Sequence, residues 1–351
     1  MKKTQSPEIR TLFMELLRDL CEIDGTSGRE DRVRSYVLDK IGDKAECTVT
    51  QLGCVIARYK AEHTDSTLMI SAHMDEVGLI ITYINDDGTL AFDCVGGVSP
   101  DACGGRQITV GDGIPGCIGT RPIHELSADE RKTPVKFSDL YIDIGAKDRE
   151  EAEKYVSLGD AAYFTAGWHE SCDGYIRSKA IDDRLGCAVM LTMILADLPV
   201  YDTVFTFVTQ EEVGLRGART AAYAVDPDMA IVIEATTAAD IPMSEGAQRC
   251  CELTRGAVVS YMDRSTIYDR EMYDLSRLTA EAAGIGWQTK TVVAGGNDSG
   301  AIHISGDGVR TMAVSAPCRY LHTPCCVAHK SDMFDVLDLV TEMEHTLHEK
   351  I

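Results

Sequence analysis

The sequence STLMISAHMDEVG at residues 66–78 places a histidine and two acidic residues directly after an apolar run. A run of this length, bounded by polar residues, is typical of a strand that is buried on both faces. His73 and Asp75 stand two positions apart, so on a strand they would project from the same face. The stretch therefore predicts a central strand that carries polar side chains to one edge of a sheet. Taken alone, it fits a buried hydrogen-bonded pair as well as a metal site.

Strand and helix patterns alternate on both sides of a glycine-rich segment. After residue 175 the strand patterns DTVFTFVTQEE, MAIVIEAT and VRTMAVSAP are separated by helix patterns. This alternation predicts an α/β fold with a mostly parallel mixed sheet flanked by helices. Residues 76–167 contain short strands, many glycines and the hairpin signal NDDGT, which together predict an inserted small β-barrel. We therefore expect a discontinuous catalytic domain (1–75 and 168–351) and an inserted β-rich domain (76–167).

The N-terminal region carries two helix signals. Apolar residues recur with helical spacing from Ile9 to Leu20, without the uninterrupted apolar run of a signal peptide. Ser27 and Glu30 have the spacing of a capping box, which predicts that a second helix begins at Ser27 and continues to about Ile41.

Charge and cysteine content narrow the class of protein. The net charge of −22 argues against nucleic acid and anionic membrane surfaces as partners. Thirteen scattered cysteines, an odd number without a CxxC pair, fit reduced thiols in a cytoplasmic protein. No apolar run reaches the length of a transmembrane helix. These features favour a cytoplasmic protein with no membrane partner.

Polar side chains recur where the predicted strands end. Ligands of parallel α/β sheets bind at the carboxyl ends of the strands, and two histidines with several carboxylates form a donor set for zinc, cobalt or manganese. The candidates at this edge are His73, Asp75, Asp182, Asp183, Glu211, Glu212, Glu234 and His322.

Two neighbouring acidic residues suggest two different roles, one as metal ligand and one as general base. Glu211 and Glu212 diverge at a strand end, so one can bind metal while the other acts as general base on a water. Three ligand carboxylates, Asp182, Glu212 and Glu234, leave one positive charge on two divalent ions, which a bridging hydroxide would cancel. Asp75 can orient the His73 ring from behind. Asp183 is an alternative to Asp182 as the bridging residue.

Five motifs resemble the M42 family of metallo-aminopeptidases, which includes tetrahedral aminopeptidases and proteins labelled glutamyl aminopeptidase or endoglucanase M. The motifs, in order, are SAHMDEVG, AIDDRLG, TQEEVGLRGA, IEATTAADIP and APCRYLHTP, and GIPGCIGTRPIHEL in the insertion is also similar. The resemblance implies a phosphorylase/hydrolase-like core, two divalent metal ions, an inserted dimerisation domain and a homo-oligomer, either a dimer or a tetrahedral dodecamer.

The same resemblance assigns the site residues. One metal would be held by His73, Asp182 and Glu234, and the other by Asp182, Glu212 and His322. Glu211 would be the catalytic base and Asp75 would tune His73. Glu234 departs from the family pattern, where aspartate is usual, so an altered metal preference is expected.

The sequence thus predicts a di-metal aminopeptidase that hydrolyses N-terminal residues from short peptides through a metal-bridging hydroxide. Two alternatives stay open. One is a glycoside hydrolase of the endoglucanase type, since paired carboxylates also serve that chemistry. It is disfavoured by the scarcity of tryptophans, Trp168 and Trp287, as sugar-stacking platforms. The other is a non-catalytic assembly protein on the same scaffold, although both the base and the bridging acid are present.

Overall fold

The computed structural model describes residues 3–242 and 244–350. The strands are β1 (Glu46–Val49), β2 (Val55–Tyr59), β3 (Leu68–His73), β4 (Gly78–Ile84), β5 (Leu90–Val95), β6 (Gln107–Val110), β7 (Ile114–Thr120), β8 (Leu140–Asp143), β9 (Ala161–Phe164), β10 (His169–Glu170), β11 (Tyr175–Ser178), β12 (Thr203–Val208), β13 (Met229–Thr237), β14 (Ala257–Val259), β15 (Trp287–Thr289), β16 (Arg310–Arg319) and β17 (Cys326–His329). The helices are α1 (Pro7–Glu22), α2 (Asp31–Ile41), α3 (Arg149–Ala152), α4 (Ile181–Leu195), α5 (Arg216–Val225), α6 (Arg270–Ala283), α7 (Ser299–Ile302) and α8 (Lys330–Lys350).

The main sheet is mixed, with a parallel centre. Its strand order is β1-β2-β12-β3-β13-β16-β17-β11-β10, and β14 and β15 join beside β16. β12, β3, β13 and β16 run parallel, whereas the outer strands β2, β17, β11 and β10 pair antiparallel. All six residues of β3 are buried, as the apolar run predicts. The expected α/β fold with a mixed sheet is confirmed.

Helices cover both faces of this sheet. Side chains alternate along the central strands: Ile70 belongs to the apolar core that contains residues of α1, α2, α4, α6 and α8, while Met69 belongs to the core on the other face with residues of α5 and α7. Fully buried positions on both sides explain why β3 is apolar at nearly every residue. The sheet therefore forms the middle layer of a helix–sheet–helix sandwich.

The glycine-rich segment after β3 folds into a closed barrel. Its strands follow the order β4-β5-β8-β7-β6-β9 and enclose a separate apolar core that includes Leu79, Phe92 and Ile142. Closure leaves no free sheet edge in this module. The barrel lies in the chain between β3 and β10, so it is an insertion into the sheet domain, as the change in sequence texture indicated.

One local prediction was wrong. The second helix begins at Asp31, with Glu30 as its N-cap residue, and Glu30 makes no capping hydrogen bond with its side chain. Ser27 lies outside the helix, and its hydroxyl donates to Asp75 instead. Both side chains make tertiary contacts near the sheet edge instead of capping the helix. Rules based on local sequence spacing do not detect such contacts.

Candidate metal centre

The four parallel strands end at the same edge of the sheet, where the predicted site residues meet. His73 is the last residue of β3, and Glu234 lies near the end of β13. Glu211 and Glu212 follow β12. α4 and the turn after β16 contribute the two remaining side chains, those of Asp182 and His322. The common edge of the parallel strands thus brings together segments that are far apart in sequence.

These side chains form two groups that share Asp182, and His73, Glu211 and Glu212 form a third group of possible donors. In the first, Nε2 of His73 lies 3.4 Å from Oδ1 of Asp182 and 3.9 Å from Oε2 of Glu234. In the second, Nε2 of His322 lies 3.5 Å from Oδ2 of Asp182 and 3.4 Å from Oε2 of Glu212. Within each group the three donor atoms lie within 4.8 Å of one another, a spacing that fits one metal ion per group.

Both imidazole rings point Nε2 toward these groups and Nδ1 toward a backbone carbonyl. Nδ1 of His73 lies 3.0 Å from the carbonyl oxygen of Asp75, and Nδ1 of His322 lies 3.1 Å from the carbonyl oxygen of Gly97. When Nδ1 carries the proton it donates to the carbonyl, which leaves the Nε2 lone pair free to bind a cation. Gly97 belongs to the inserted module, so that module also contributes to the site.

The side chain of Asp75 contacts the Glu211–Glu212 segment more closely than it contacts His73. Its Oδ1 lies 3.6 Å from Nδ1 of His73, beyond hydrogen-bond distance, because the backbone carbonyl takes that place. The carboxylate instead accepts from the backbone N–H groups of Glu211 and Glu212, each at 3.1 Å, and from the Ser27 hydroxyl at 2.6 Å. That Asp75 orients the His73 ring stays a prediction, and in the structure the backbone carbonyl of Asp75 makes the closer contact with the ring.

The site concentrates negative charge in a buried place. Burial raises the pKa of Glu211 and of Glu212 to about 8, and neighbouring acids add to the effect. The Asp182 carboxylate beside His322 raises the pKa of that ring to about 10. Burial alone would lower the pKa of His73, but Glu234 and the other carboxylates raise it well above its ordinary value. A cation in each group would relieve this crowding.

Unpaired oxygen atoms indicate that the carboxylates suit a cation. Oδ1 of Asp182 and Oε1 of Glu234 are buried and have no hydrogen-bond partner among the described residues. Such atoms are rare in folded proteins because leaving them unpaired costs free energy. Asp183, the alternative bridging residue, is fully buried; its Oδ1 accepts from the Gly186 N–H, whereas its Oδ2 has no hydrogen-bond partner among the described residues. It belongs to neither group of donor atoms.

A cavity of about 350 Å³ opens over these groups. His73, Asp182, Glu211, Glu212, Glu234 and His322 line its floor. The side chain of Glu211 is 12% exposed and that of Glu212 is 5% exposed, so Glu211 is the more accessible of the two. A water or substrate in the cavity can therefore reach Glu211.

Three contributors were not identified from the sequence. Glu30, whose Oε1 accepts from the Gln210 N–H, was marked only by the capping-box spacing, and no local pattern marks Gly97. Lys290 lies in the cavity wall, and its ammonium group donates to the Ala294 carbonyl at 3.1 Å. The sequence shows Lys290 as a lone cation near the GGNDSG turn at residues 295–300. It does not show that the side chain of Lys290 faces the cavity.

Two carboxylate–histidine groups on the floor of a substrate-sized cavity are the donor set of metal-dependent hydrolases. The chain matches the family model of the M42 glutamyl aminopeptidases over residues 53–339. It is 38% identical over 335 residues to a putative aminopeptidase of Acetivibrio thermocellus, covering 94% of this chain and 98% of that protein. The chain therefore belongs to the M42 family and is a peptide hydrolase of the aminopeptidase class.

Solved structures agree with this assignment. An aminopeptidase from the archaeon Desulfurococcus kamchatkensis superposes with a TM-score of 0.90 at 31% identity, over 95% of this chain and 94% of that one. The TET1 peptidase of Pyrococcus horikoshii, described as assembling into a tetrahedron or a large octahedral shell, gives a TM-score of 0.84 at 33% identity, over 94% and 98%. Across residues 3–242 and 244–350, no helix has both the length and the apolar character needed to cross a bilayer.

Proposed function

We propose that this protein is a di-metal aminopeptidase that removes N-terminal residues from short peptides. The observation that carries the proposal is the pair of donor groups sharing Asp182, with Glu211 beside them. His73, Asp182 and Glu234 would hold one ion, and Asp182, Glu212 and His322 the other. Imidazole nitrogen and carboxylate oxygen suit zinc, cobalt or manganese.

The chemistry can be divided between the ions and the chain. Divalent ions at these positions would polarise the scissile carbonyl and make an adjacent water more acidic. Glu211 would take a proton from that water and deliver it to the leaving amine. The acidic cavity floor would hold the free α-amine of the peptide, which accounts for attack at the first peptide bond.

Lys290 supports a preference at the substrate N-terminus. Among the described residues that line the cavity, it is the one lysine or arginine. Its single acceptor shown in the structure, the Ala294 carbonyl, leaves protons on the ammonium group for another acceptor. We therefore propose that acidic N-terminal residues are favoured over basic ones.

Assembly into a homo-oligomer is also proposed, with contacts through residues 76–167. The inserted module exposes large apolar side chains, among them Ile123 at 71% and Leu158 at 63%. Exposed apolar groups of this size favour contact with another protein surface. A dimer that associates further into a tetrahedral dodecamer would cover them, and light scattering of the purified protein would give the mass.

The deciding experiment measures amide hydrolysis in the metal-stripped protein and after addition of zinc or cobalt. The substrates are p-nitroanilides of glutamate, leucine and lysine. We expect activity only with metal, fastest release from the glutamyl substrate, and loss of at least roughly 100-fold in kcat for Glu211→Gln. Glu150→Gln, an exposed position on α3, is the matched control.

Two results would separate the parts of the proposal. Unchanged turnover in Glu211→Gln would remove Glu211 from the base role. Equal rates for glutamyl and lysyl substrates in both wild-type protein and Lys290→Met would remove the specificity role of Lys290, while leaving aminopeptidase activity intact.

A further inference from the structure

The segment between α1 and α2, residues 24–30 with the sequence DGTSGRE, lies against the carboxyl ends of β3 and β12. It precedes the part of the chain that matches the family model. We propose that Ser27 and Glu30 are positioning residues that fix the Glu211–Glu212 segment relative to His73. The inference rests on the proposed roles of Glu211 and Glu212, and we call residues 24–30 the N-terminal clamp.

The first contact of the clamp passes through Asp75. The Ser27 hydroxyl donates to Oδ2 of Asp75 at 2.6 Å, and the same carboxylate accepts the backbone N–H groups of Glu211 and Glu212. Asp75 is fully buried, so its orientation is set by these three donors together with the His73 ring nearby. Removing the Ser27 donor frees the carboxylate to rotate, and the two backbone N–H groups move with it or lose their acceptor.

The second contact goes directly to the residue before the acidic pair. Oε1 of Glu30 accepts from the backbone N–H of Gln210 at 3.0 Å and from that of Gly28 at 2.9 Å. Gln210 has a φ of 57°, a left-handed conformation that is costly for a residue other than glycine. Glu30 is 3% exposed, and its side chain does not cap α2 although it occupies the N-cap position. The side chain therefore serves the Gln210 turn rather than its own helix.

The N-terminal clamp is also hydrogen-bonded to Glu76, just after the end of β3. The backbone N–H of Glu76 donates to the Gly25 carbonyl at 2.9 Å, and the Thr26 hydroxyl donates to the Glu76 carbonyl at 2.9 Å. Oε1 of Glu76 accepts the Gly25 N–H at 3.1 Å. Because one end of the clamp binds the β3 exit and the other binds the β12 exit, it fixes the distance between the two segments that carry the proposed ligands and base.

The test compares variants that remove each contact with variants that keep it. Ser27→Ala and Glu30→Met lose the donor and the acceptor, whereas Ser27→Thr and Glu30→Gln retain a hydroxyl and a carbonyl oxygen. Ser35→Ala on α2, whose hydroxyl donates to the Asp31 carbonyl of its own helix, is the control. Measurements on the metal-loaded protein are kcat, KM, bound metal per chain and Tm, with kinetics recorded well below the lowest Tm.

We expect kcat to fall by roughly 10-fold or more in Ser27→Ala and Glu30→Met, because small displacements of a catalytic group are costly in rate. KM and bound metal should change by less than about 2-fold, and the two conservative variants should restore kcat. The two contacts go to different residues, Asp75 and Gln210, so either variant tests the proposal if the other fails to fold.

A fall in Tm with kcat unchanged would reduce the clamp to a purely structural role and overturn the inference. The same holds if the conservative variants are as slow as the disruptive ones. If Glu211→Gln loses activity while Ser27→Ala and Glu30→Met keep normal kcat, the inference about the clamp is overturned and the proposed function stands. Normal kcat in Glu211→Gln would instead overturn the proposed function on which the clamp depends.

Discussion

Oδ1 of Asp75 accepts a 3.1 Å hydrogen bond from the backbone N–H of Glu211. The residue two positions after a proposed ligand thus holds the residue proposed as base. Burial alone would raise the pKa of Asp75, but the His73 ring, the Ser27 hydroxyl and this N–H lower it. The carboxylate is therefore charged throughout the neutral range, which strengthens the bonds it accepts.

Asp75→Asn should lower kcat by roughly 10- to 100-fold, which is the usual cost of altering a group that orients the residues of a metal site. An amide can accept only through one oxygen, and its NH₂ group would face backbone N–H donors. Steady-state kinetics with metal content measured in parallel checks this. Asp173→Asn, at an exposed position, serves as control, and equal kcat in the two variants would contradict the prediction.

Asp182 and Asp183 are adjacent, but their substitutions should differ in effect. Asp182 supplies an oxygen to both donor groups, so Asp182→Asn should lose both metal ions after desalting. Asp183→Asn should keep them, because Asp183 belongs to neither group. Metal analysis by mass spectrometry on both folded variants decides between them. If Asp182→Asn retains two ions, the prediction is contradicted and Asp183 becomes the better candidate for the bridging residue.

The stability of the metal-free protein should fall as pH rises from 6 to 9. The pKa values of Glu211 and Glu212, about 8, and of His322, about 10, all exceed those of the unfolded chain. The folded state therefore holds protons that the unfolded state releases, and raising the pH favours unfolding. Asp75 and Asp182 have lowered pKa values and titrate below this window.

Thermal melts at several pH values, with and without zinc, measure this dependence. Zinc should remove most of the slope, since binding displaces the same protons. Calorimetric titration in two buffers of different ionisation enthalpy should show release of more than one proton per chain at pH 7. A metal-free Tm that rises toward pH 9 would contradict the charge arrangement described for the site.

Gly217 at the start of α5 should tolerate no side chain. A Cβ there would lie 2.3 Å from the carbonyl oxygen of Thr209 and 2.5 Å from its nitrogen. Gly217→Ala should cost about 1–3 kcal/mol of unfolding free energy and should lower activity, because Thr209 leads into the Glu211–Glu212 segment. At Gly104 the nearest atom to a new Cβ is 3.9 Å away, so Gly104→Ala is the control. Chemical denaturation of both variants gives the comparison.

The sequence predicted the sheet well, for identifiable reasons, and the proposed donor residues lie together in the structure. The apolar run before His73 is long enough to mark a strand buried on both faces, and parallel strands must end at a common edge. The distances within each donor group could not be predicted, because they depend on the left-handed turns at Gln210 and His322. A periodic pattern carries no information about such turns.

The sequence-based predictions were wrong or incomplete where a residue contacts a part of the chain that is distant in sequence. Ser27 and Glu30 have the spacing of a helix cap, yet their side chains bind Asp75 and Gln210. The carbonyl of Gly97, which contacts His322, belongs to a module that the sequence suggested only for oligomerisation. Contacts of this kind depend on the packing of whole segments, so they appear only in the folded structure.

The donor atoms at the sheet edge come from segments on both sides of the barrel insertion. They converge only when β3, β12, β13 and β16 have paired in the correct register, since a shift of one residue would turn each side chain to the opposite face. If the site binds metal as proposed, a bound ion would report that these four strands have assembled correctly. Metal retention could serve as a fold-quality assay, distinguishing correctly folded chains from compact misfolded ones without any substrate.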